Sequence, residues 1–230
     1  MTEGQAPDID QQELQQEPSE QEKRNREIEV QFPGIRDVFD IILQKGARDI
    51  DPEGYNDLVN NRSEFPITAG IAIPDENGTL KLAVIGTNQT NAARKSSRHA
   101  EMNAIDTANS LYHDKHLPEG SVLVCNNEPC SSCAGMYLRA LDKGQDGAII
   151  YGISQDNTHG KGVLLRTDAI YNEETGKVEM EKALKPFGPE PPSYHVEEFV
   201  KERNPNVKVT GGYRRDEAIE YMKMVDVNEE

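Results

Sequence analysis

The 230-residue sequence has no tryptophan and only three cysteines, and aromatic residues make up 6% of it. Because two of the three cysteines share a Cys-x-x-Cys motif, a disulfide framework is not expected, and a reducing compartment is favoured. The first residues, MTEGQAPDID, lack the apolar run of a signal peptide, and no later run approaches the length of a membrane span. We therefore expect a cytoplasmic protein with no membrane partner.

Basic residues are also few. Lysine and arginine number 25 against 41 acidic residues, so the formal net charge is −16. Residues 1–26 contribute −4 of this charge, and the remainder of the chain contributes −12. Proteins that grip nucleic acid normally show the opposite balance, because phosphate contacts dominate their affinity. A local basic patch could form from Arg94, Lys95 and Arg98. The excess of acidic over basic residues nevertheless disfavours nucleic acid as a partner and favours a small, phosphate-free substrate.

The composition changes near the N-terminus. Residues 1–26 are rich in Gln, Glu, Pro and Ser, which predicts a disordered tail, and we expect 27–230 to form a single domain. Apolar residues recur at helical spacing from Ile35 to Leu43, which predicts a first helix that stops at Gly46.

The middle of the chain alternates strand-like and helical patterns. An Asn-Gly turn between 65–73 and 79–86 predicts a β-hairpin. The next elements predicted are a helix from His99 to about Leu111, a strand at 121–125, a helix from Cys130 to about Leu141 and a strand at 147–153. Because helices connect these strands, we expect parallel pairing in an α/β fold.

The last third is less regular. Residues 154–205 include the Pro-rich stretch 188–192 and predict either a lid over a binding site or an insertion that only decorates the surface. Residues 206–230 predict a C-terminal strand and helix.

Two short motifs carry the chemistry. Arg98-His99-Ala100-Glu101 contains His-x-Glu, and Pro129 to Cys133 reads Pro-Cys-x-x-Cys; together they are typical of zinc-dependent nucleobase deaminases. An imidazole and two thiolates hold zinc and leave a fourth position for water, whose pKa falls toward ~7. His99, Cys130 and Cys133 suit the ligand role, and Glu101 suits a carboxylate that carries protons without binding the metal.

The spacing constrains where these residues lie. Residues two apart in mid-helix point about 200° away from each other, so His99 and Glu101 can share a site only at a helix N-terminus. Cys130 and Cys133 fit the first turn of a second helix, which Pro129 helps to start. The sequence therefore predicts two helix N-termini aimed at one metal.

A purely structural zinc site is the alternative interpretation. It would need a fourth protein ligand, for which His113, His116 and Cys125 are available, although Cys125 lies in an apolar strand and fits a small buried hydrophobe.

From about Phe65 to Met224, and most strongly at 99–105 and 128–137, the chain resembles the cytidine-deaminase superfamily, in particular the branch of guanine deaminases and tRNA adenosine deaminases. The resemblance implies a three-layer α-β-α fold with a mixed five-stranded sheet and one zinc ion per chain. It also implies a homodimer or tetramer. It further implies that Asn88 and the backbone N–H of Ala100 hold the base and that Asp156 helps to bind a purine.

The sequence departs from relatives at Ser131 and Ser132, where a larger apolar pair is common, and residues 154–205 are longer than in compact bacterial members. His159 and His195 fall in this stretch and could approach a substrate. The chemistry therefore transfers better than the substrate does.

The function expected is hydrolytic deamination of a free aminopurine base or nucleoside, with guanine or guanosine first. A cytosine- or cytidine-type substrate comes second, and tRNA adenosine third because the net charge opposes it. A non-catalytic deaminase-like subunit is the alternative from another class, although such copies typically lose the glutamate that Glu101 represents.

Overall fold

The computed structural model describes residues 17–48, 67–89, 98–112, 116–154, 167–172, 177–182 and 196–226. Its elements, in chain order, are α1 (Glu20–Gln31), α2 (Ile35–Arg48), β1 (Thr68–Pro74), β2 (Leu80–Thr87), α3 (Ala100–Tyr112), β3 (Val122–Asn127), α4 (Ser131–Ala140), β4 (Gly147–Ile153), β5 (Thr167–Asn172), β6 (Lys177–Lys182), α5 (Val196–Arg203), β7 (Val207–Gly211) and α6 (Arg215–Asp226). Within these described ranges, no helix combines the length and the apolar character needed to cross a bilayer.

Five strands form a mixed sheet in the order β2-β1-β3-β4-β7. β1 pairs antiparallel with both β2 and β3, whereas β3, β4 and β7 run parallel. The parallel pairs are the ones joined through helices α4 and α5, as such connections require. This arrangement confirms the predicted mixed five-stranded sheet.

The hairpin between β1 and β2 is confirmed, and its turn is stabilised by one aspartate. Asp75 Oδ1 accepts hydrogen bonds from the backbone N–H groups of Asn77 (2.9 Å) and Thr79 (3.0 Å). Gly78 has φ +77°, a left-handed conformation that glycine adopts at little cost. The Asn-Gly signal in the sequence thus reflects the backbone geometry of this turn.

Helices cover both faces of the sheet. Along β3, Leu123 and Cys125 face a core shared with α3, α4 and α5, while Val122 and Val124 face a core shared with α1, α2 and α6. Successive strand residues point to opposite faces, so a strand covered on both sides is apolar throughout. The three-layer α-β-α fold is therefore confirmed.

The N-terminal prediction needs a correction. Helix α1 begins at Glu20, inside the stretch predicted to be disordered, and Ser19 and Glu22 form a capping box at its start. Arg24 donates to the Gly211 carbonyl (2.6 Å), and Asn25 Oδ1 accepts from the Arg214 N–H (2.9 Å). These long-range bonds hold a polar helix that its composition alone does not favour. Residues 1–16 lie outside the described residues, and a single domain over 27–230 stays a prediction.

Two further expectations were wrong in detail. Helix α2 continues through Gly46 to Arg48. The stretch 154–205 contains regular structure, because β5 and β6 pair antiparallel and α5 spans Val196–Arg203. Helix α5 was missed because it is short and only Val196 and Val200 are buried in it. Whether 154–205 acts as a lid stays untested.

Gly86 allows α3 to lie directly on β2, because a Cβ atom there would stand 2.3 Å from the Ala100 carbonyl oxygen and 2.5 Å from the Ala104 nitrogen. We predict that Gly86→Ala pushes α3 away, lowers the free energy of unfolding by about 1–3 kcal/mol and weakens metal binding, because His99 directly precedes α3. Chemical denaturation and bound-metal analysis measure these two effects.

The control for Gly86 is Gly78→Ala, where an added Cβ meets no atom within 4 Å and only the left-handed backbone opposes it. Its cost should be about 1–2 kcal/mol, with metal binding unchanged. Equal metal binding in both variants would show that Gly86 does not position α3.

Candidate active site

The predicted zinc ligands and Glu101 lie at one edge of the sheet. β2 and β3 are both antiparallel to β1, so they run in the same direction and both end at this edge. The chain leaves β2 towards α3 and leaves β3 towards α4. The N-termini of the two helices therefore meet at the carboxyl ends of these strands, where open α/β sheets commonly bind ligands.

Each motif occupies the start of its helix. His99 immediately precedes α3, and Glu101 lies in the first turn of that helix. Cys130 is the N-cap of α4, with extended backbone angles, and Cys133 lies in the first turn of α4. The prediction of two helix N-termini aimed at one point is confirmed.

The three donor atoms are spaced as zinc requires. His99 Nδ1 lies 3.5 Å from Cys133 Sγ and 3.8 Å from Cys130 Sγ, and the two sulfurs are 3.4 Å apart. Tetrahedral zinc with ordinary bond lengths separates two sulfurs by about 3.8 Å and a sulfur from a nitrogen by about 3.6 Å. His99, Cys130 and Cys133 therefore fit one zinc ion.

The sulfur pair is already arranged for a metal. The hydrogen bond between the two sulfurs lowers the pKa of Cys130 to about 5, and the same shared proton raises the pKa of Cys133. Thiolates, not thiols, are the metal ligands. Zinc binding at this pair therefore displaces the proton that the two sulfurs share.

Among the residues that the structure describes, no fourth side chain joins this group. Cys125 is fully buried in the core beneath α3 and α4, as predicted. His116 Nε2 lies 3.9 Å from Asp142 Oδ1, and His113 lies outside the described ranges. Three protein ligands with a fourth position left open are typical of catalytic zinc sites and not of structural ones.

Glu101 stands beside this group without belonging to it. Its side chain is only 4% exposed. Burial raises the pKa of Glu101 to about 7, a shift that its own backbone N–H partly opposes. Carboxyl groups with a pKa close to neutral exchange protons readily at physiological pH. The arrangement can thus bind a metal and move a proton next to it.

Two of the three residues predicted to contact the base, Asn88 and Ala100, lie within the described part of the chain. Ala100 is the first residue of α3 and fully buried, and first-turn N–H groups have no acceptor within their own helix. Asn88 follows β2, and the next residue, Gln89, donates its N–H to the Arg98 carbonyl (2.8 Å). This bond joins the residue after Asn88 to the residue before His99. Asp156, like His159 and His195, lies outside the described residues.

Sequence reasoning missed two groups that shape the site. Asn103 donates to the Thr87 carbonyl (2.8 Å) and accepts from Arg98 (3.1 Å), which ties α3 to the end of β2. Glu128 is buried, and its Oε1 accepts the Val196 N–H (3.1 Å). Asn103 lies on α3, four residues after His99, and Glu128 directly precedes Pro129. Neither position in the sequence indicates which main-chain group the side chain binds.

Comparisons with known proteins agree with this geometry. The family model described as the cytidine and deoxycytidylate deaminase zinc-binding region matches residues 57–144. NE0047 in complex with 2,6-diaminopurine has a similar fold (TM-score 0.52, 18% identity, 82% of this chain and 79% of that chain covered). A mutant of NE0047 in complex with 8-azaguanine is equally similar (TM-score 0.52, 18% identity, 82% of each chain covered).

A guanine deaminase from Nitrosomonas europaea matches with a TM-score of 0.48 and 19% identity over 76% of this chain and 80% of that chain. No curated protein sequence matches the chain. The chain thus contains a region, residues 57–144, that matches the zinc-binding region of cytidine and deoxycytidylate deaminases, and its fold is similar to that of NE0047.

We predict that Cys130→Ala and Cys133→Ala each abolish stable zinc binding, because two remaining ligands do not hold the ion. Cys125→Ala should keep one zinc ion per chain and lower the free energy of unfolding by about 1 kcal/mol, since it removes only a buried sulfur. Elemental analysis after gel filtration measures the metal content. Loss of zinc in Cys125→Ala to the same extent would contradict the three-ligand site.

Proposed function

We propose that the protein catalyses hydrolytic deamination of a free aminopurine base or nucleoside, with guanine or guanosine as the preferred substrate. The observation that carries this proposal is the buried Glu101 next to three donor atoms spaced for zinc, with no fourth ligand among the described residues. In this reaction, water replaces an amino group on the ring, and ammonia leaves.

Zinc, when bound by His99, Cys130 and Cys133, supplies the Lewis acidity that brings the pKa of a water molecule to about 7. Glu101 does the proton chemistry. Its carboxylate accepts a proton from the attacking water and delivers it to a ring nitrogen beside the amine-bearing carbon. It then passes the second water proton to the departing amine, which leaves as ammonia, so the carboxylate is restored.

Base positioning falls to the groups around His99. We assign the side-chain amide of Asn88 and the Ala100 N–H to hydrogen bonds with the ring edge, and Asp156 to a further purine contact. Directional bonds of this kind hold the amine-bearing carbon in line for attack. Such positioning lowers the barrier of the reaction, because the orientation is already fixed on binding.

One observation supports a purine, and a second supports a free base or nucleoside over tRNA. NE0047, which has a similar fold, is bound to 8-azaguanine and to 2,6-diaminopurine. The net charge of −16 favours a substrate without phosphates over tRNA adenosine. A cytosine- or cytidine-type base is the second candidate, because the matching family model is that of cytidine and deoxycytidylate deaminases.

The same proposal includes a place in purine metabolism, a cytoplasmic location and a homodimer or tetramer. A non-catalytic deaminase-like subunit remains the alternative from another class, and the presence of Glu101 beside the donor atoms is the feature that speaks against it.

We predict that Glu101→Gln lowers ammonia release by at least about 100-fold while zinc stays bound, because the amide keeps the shape but accepts no proton. Ammonia is measured with zinc-loaded protein on guanine, guanosine, adenine, adenosine, cytosine, cytidine and deoxycytidine in parallel. The strongest release is expected from guanine or guanosine.

Three outcomes would contradict parts of this prediction. Unchanged turnover in Glu101→Gln would exclude the proton-transfer role, and silence of the wild-type protein on every compound, with one zinc ion bound, would favour the non-catalytic subunit. Preferred turnover of cytosine or cytidine would replace the purine assignment and leave the chemistry intact.

We also predict that Asn88→Ala lowers kcat/KM by about 10- to 100-fold, the equivalent of one lost buried hydrogen bond, with zinc content unchanged. Gln89→Ala is the matched control, because its side chain is exposed and its role in the fold is carried by its backbone N–H. Steady-state kinetics on the best substrate measure both. Equal effects of the two variants would remove Asn88 from the site.

A further inference from the structure

The link between β3 and α4 is three residues long, and its geometry decides where the sulfur of Cys130 stands. Cys130 is the N-cap of α4 with extended backbone angles (φ −67°, ψ 163°), and its side chain makes no capping hydrogen bond. Cys133, in contrast, is placed by the helix itself and is fully buried. Cys130 therefore depends on Glu128 and Pro129, and Pro129 contributes a fixed φ.

Glu128 is held through both its backbone and its side chain. Its backbone N–H donates to the Ile153 carbonyl (2.7 Å), which continues the pairing of β3 with β4. Its side chain is 3% exposed, and Oε1 accepts the N–H of Val196, the first residue of α5, over 3.1 Å. A carboxylate at a helix N-terminus is stabilised by the unsatisfied N–H groups and the helix dipole, so this bond benefits both partners.

Helix α5 provides a firm anchor for that side chain. Val196 and Val200 are buried in the core that α5 shares with α3 and α4. Phe199 packs on α4 so closely that a Cβ atom at Gly135 would lie 3.4 Å from its ring. The Glu128 carboxylate thus connects the residue two positions before Cys130 to a helix that also packs against the body of α4.

From this arrangement, we propose that Glu128 is a positioning residue of the zinc site, whose bond to Val196 fixes the turn that carries Cys130. The inference rests on the zinc ligands and not on the reaction proposed above. Partners that orient metal ligands typically change metal affinity by about 10- to 100-fold when they are removed. The same loss is expected for zinc when the Glu128 bond is lost.

The test compares three substitutions of Glu128. Glu128→Ala removes the acceptor and should weaken zinc binding by about 10- to 100-fold. Glu128→Asp keeps the charge but is one methylene too short to reach Val196, so it should weaken binding as well. Glu128→Gln keeps the acceptor oxygen and should retain affinity within about threefold of the wild-type value. Zinc affinity is measured by competition with a chromophoric chelator, without any substrate.

Asn126 offers a matched control two residues upstream. Its side chain is also buried, and its Oδ1 accepts the Thr68 N–H over 3.0 Å, so this bond is of the same kind but joins β3 to β1 and not to α5. Asn126→Ala should destabilise the fold and leave zinc affinity unchanged. Amide hydrogen exchange at Val196 reports independently whether the Glu128 bond is lost.

Three outcomes would overturn the proposal: full zinc affinity in folded Glu128→Ala, equal losses in Glu128→Gln and Glu128→Asp, or an equal loss in Asn126→Ala. If Glu128→Ala does not fold, the comparison of Glu128→Gln with Glu128→Asp decides. Because no measurement depends on turnover, failure of this proposal and failure of the proposed reaction are distinguishable.

Discussion

Three donor atoms can share one zinc ion only if they stand within about 4 Å of one another, and here they come from residues as far as 34 positions apart. The direction of two strands in the sheet brings these residues together. β2 and β3 flank β1 and run the same way, so the two helices that follow them begin at the same edge. Every other feature of the site, including the burial of Glu101, depends on that meeting of two helix N-termini.

Close packing of α3 on the sheet buries Glu101 in the first turn of that helix. Small residues make the approach possible, because Ala100, Ala104 and Ala108 are fully buried and Gly86 lies beneath the first turn of the helix. Burial disfavours the charged form of a carboxyl group, which is why the pKa of Glu101 is raised. The packing of α3 therefore determines the burial of Glu101, and this burial raises the pKa of Glu101.

The periphery of the fold is held by polar side chains that bind main-chain groups. Arg24 and Asn25 of α1 bind the turn that leads from β7 into α6, and Glu128 binds the first residue of α5. Such bonds satisfy the carbonyl and N–H groups that strands and helices leave unpaired at their ends. They let a chain with few aromatic residues fix its outer helices without a larger apolar core.

The sequence by itself determined the zinc ligands, the non-ligand carboxylate beside them and the order of the central strands and helices. This was possible because residue type and spacing act locally: His-x-Glu and Cys-x-x-Cys fit helix starts, and Asn-Gly fits a hairpin turn. Only the tertiary structure decided that α1 begins at Glu20, that α5 exists and that Glu128 binds Val196. Those features depend on contacts between residues 68 or more positions apart, and no local pattern records which distant main-chain group a buried polar side chain will meet.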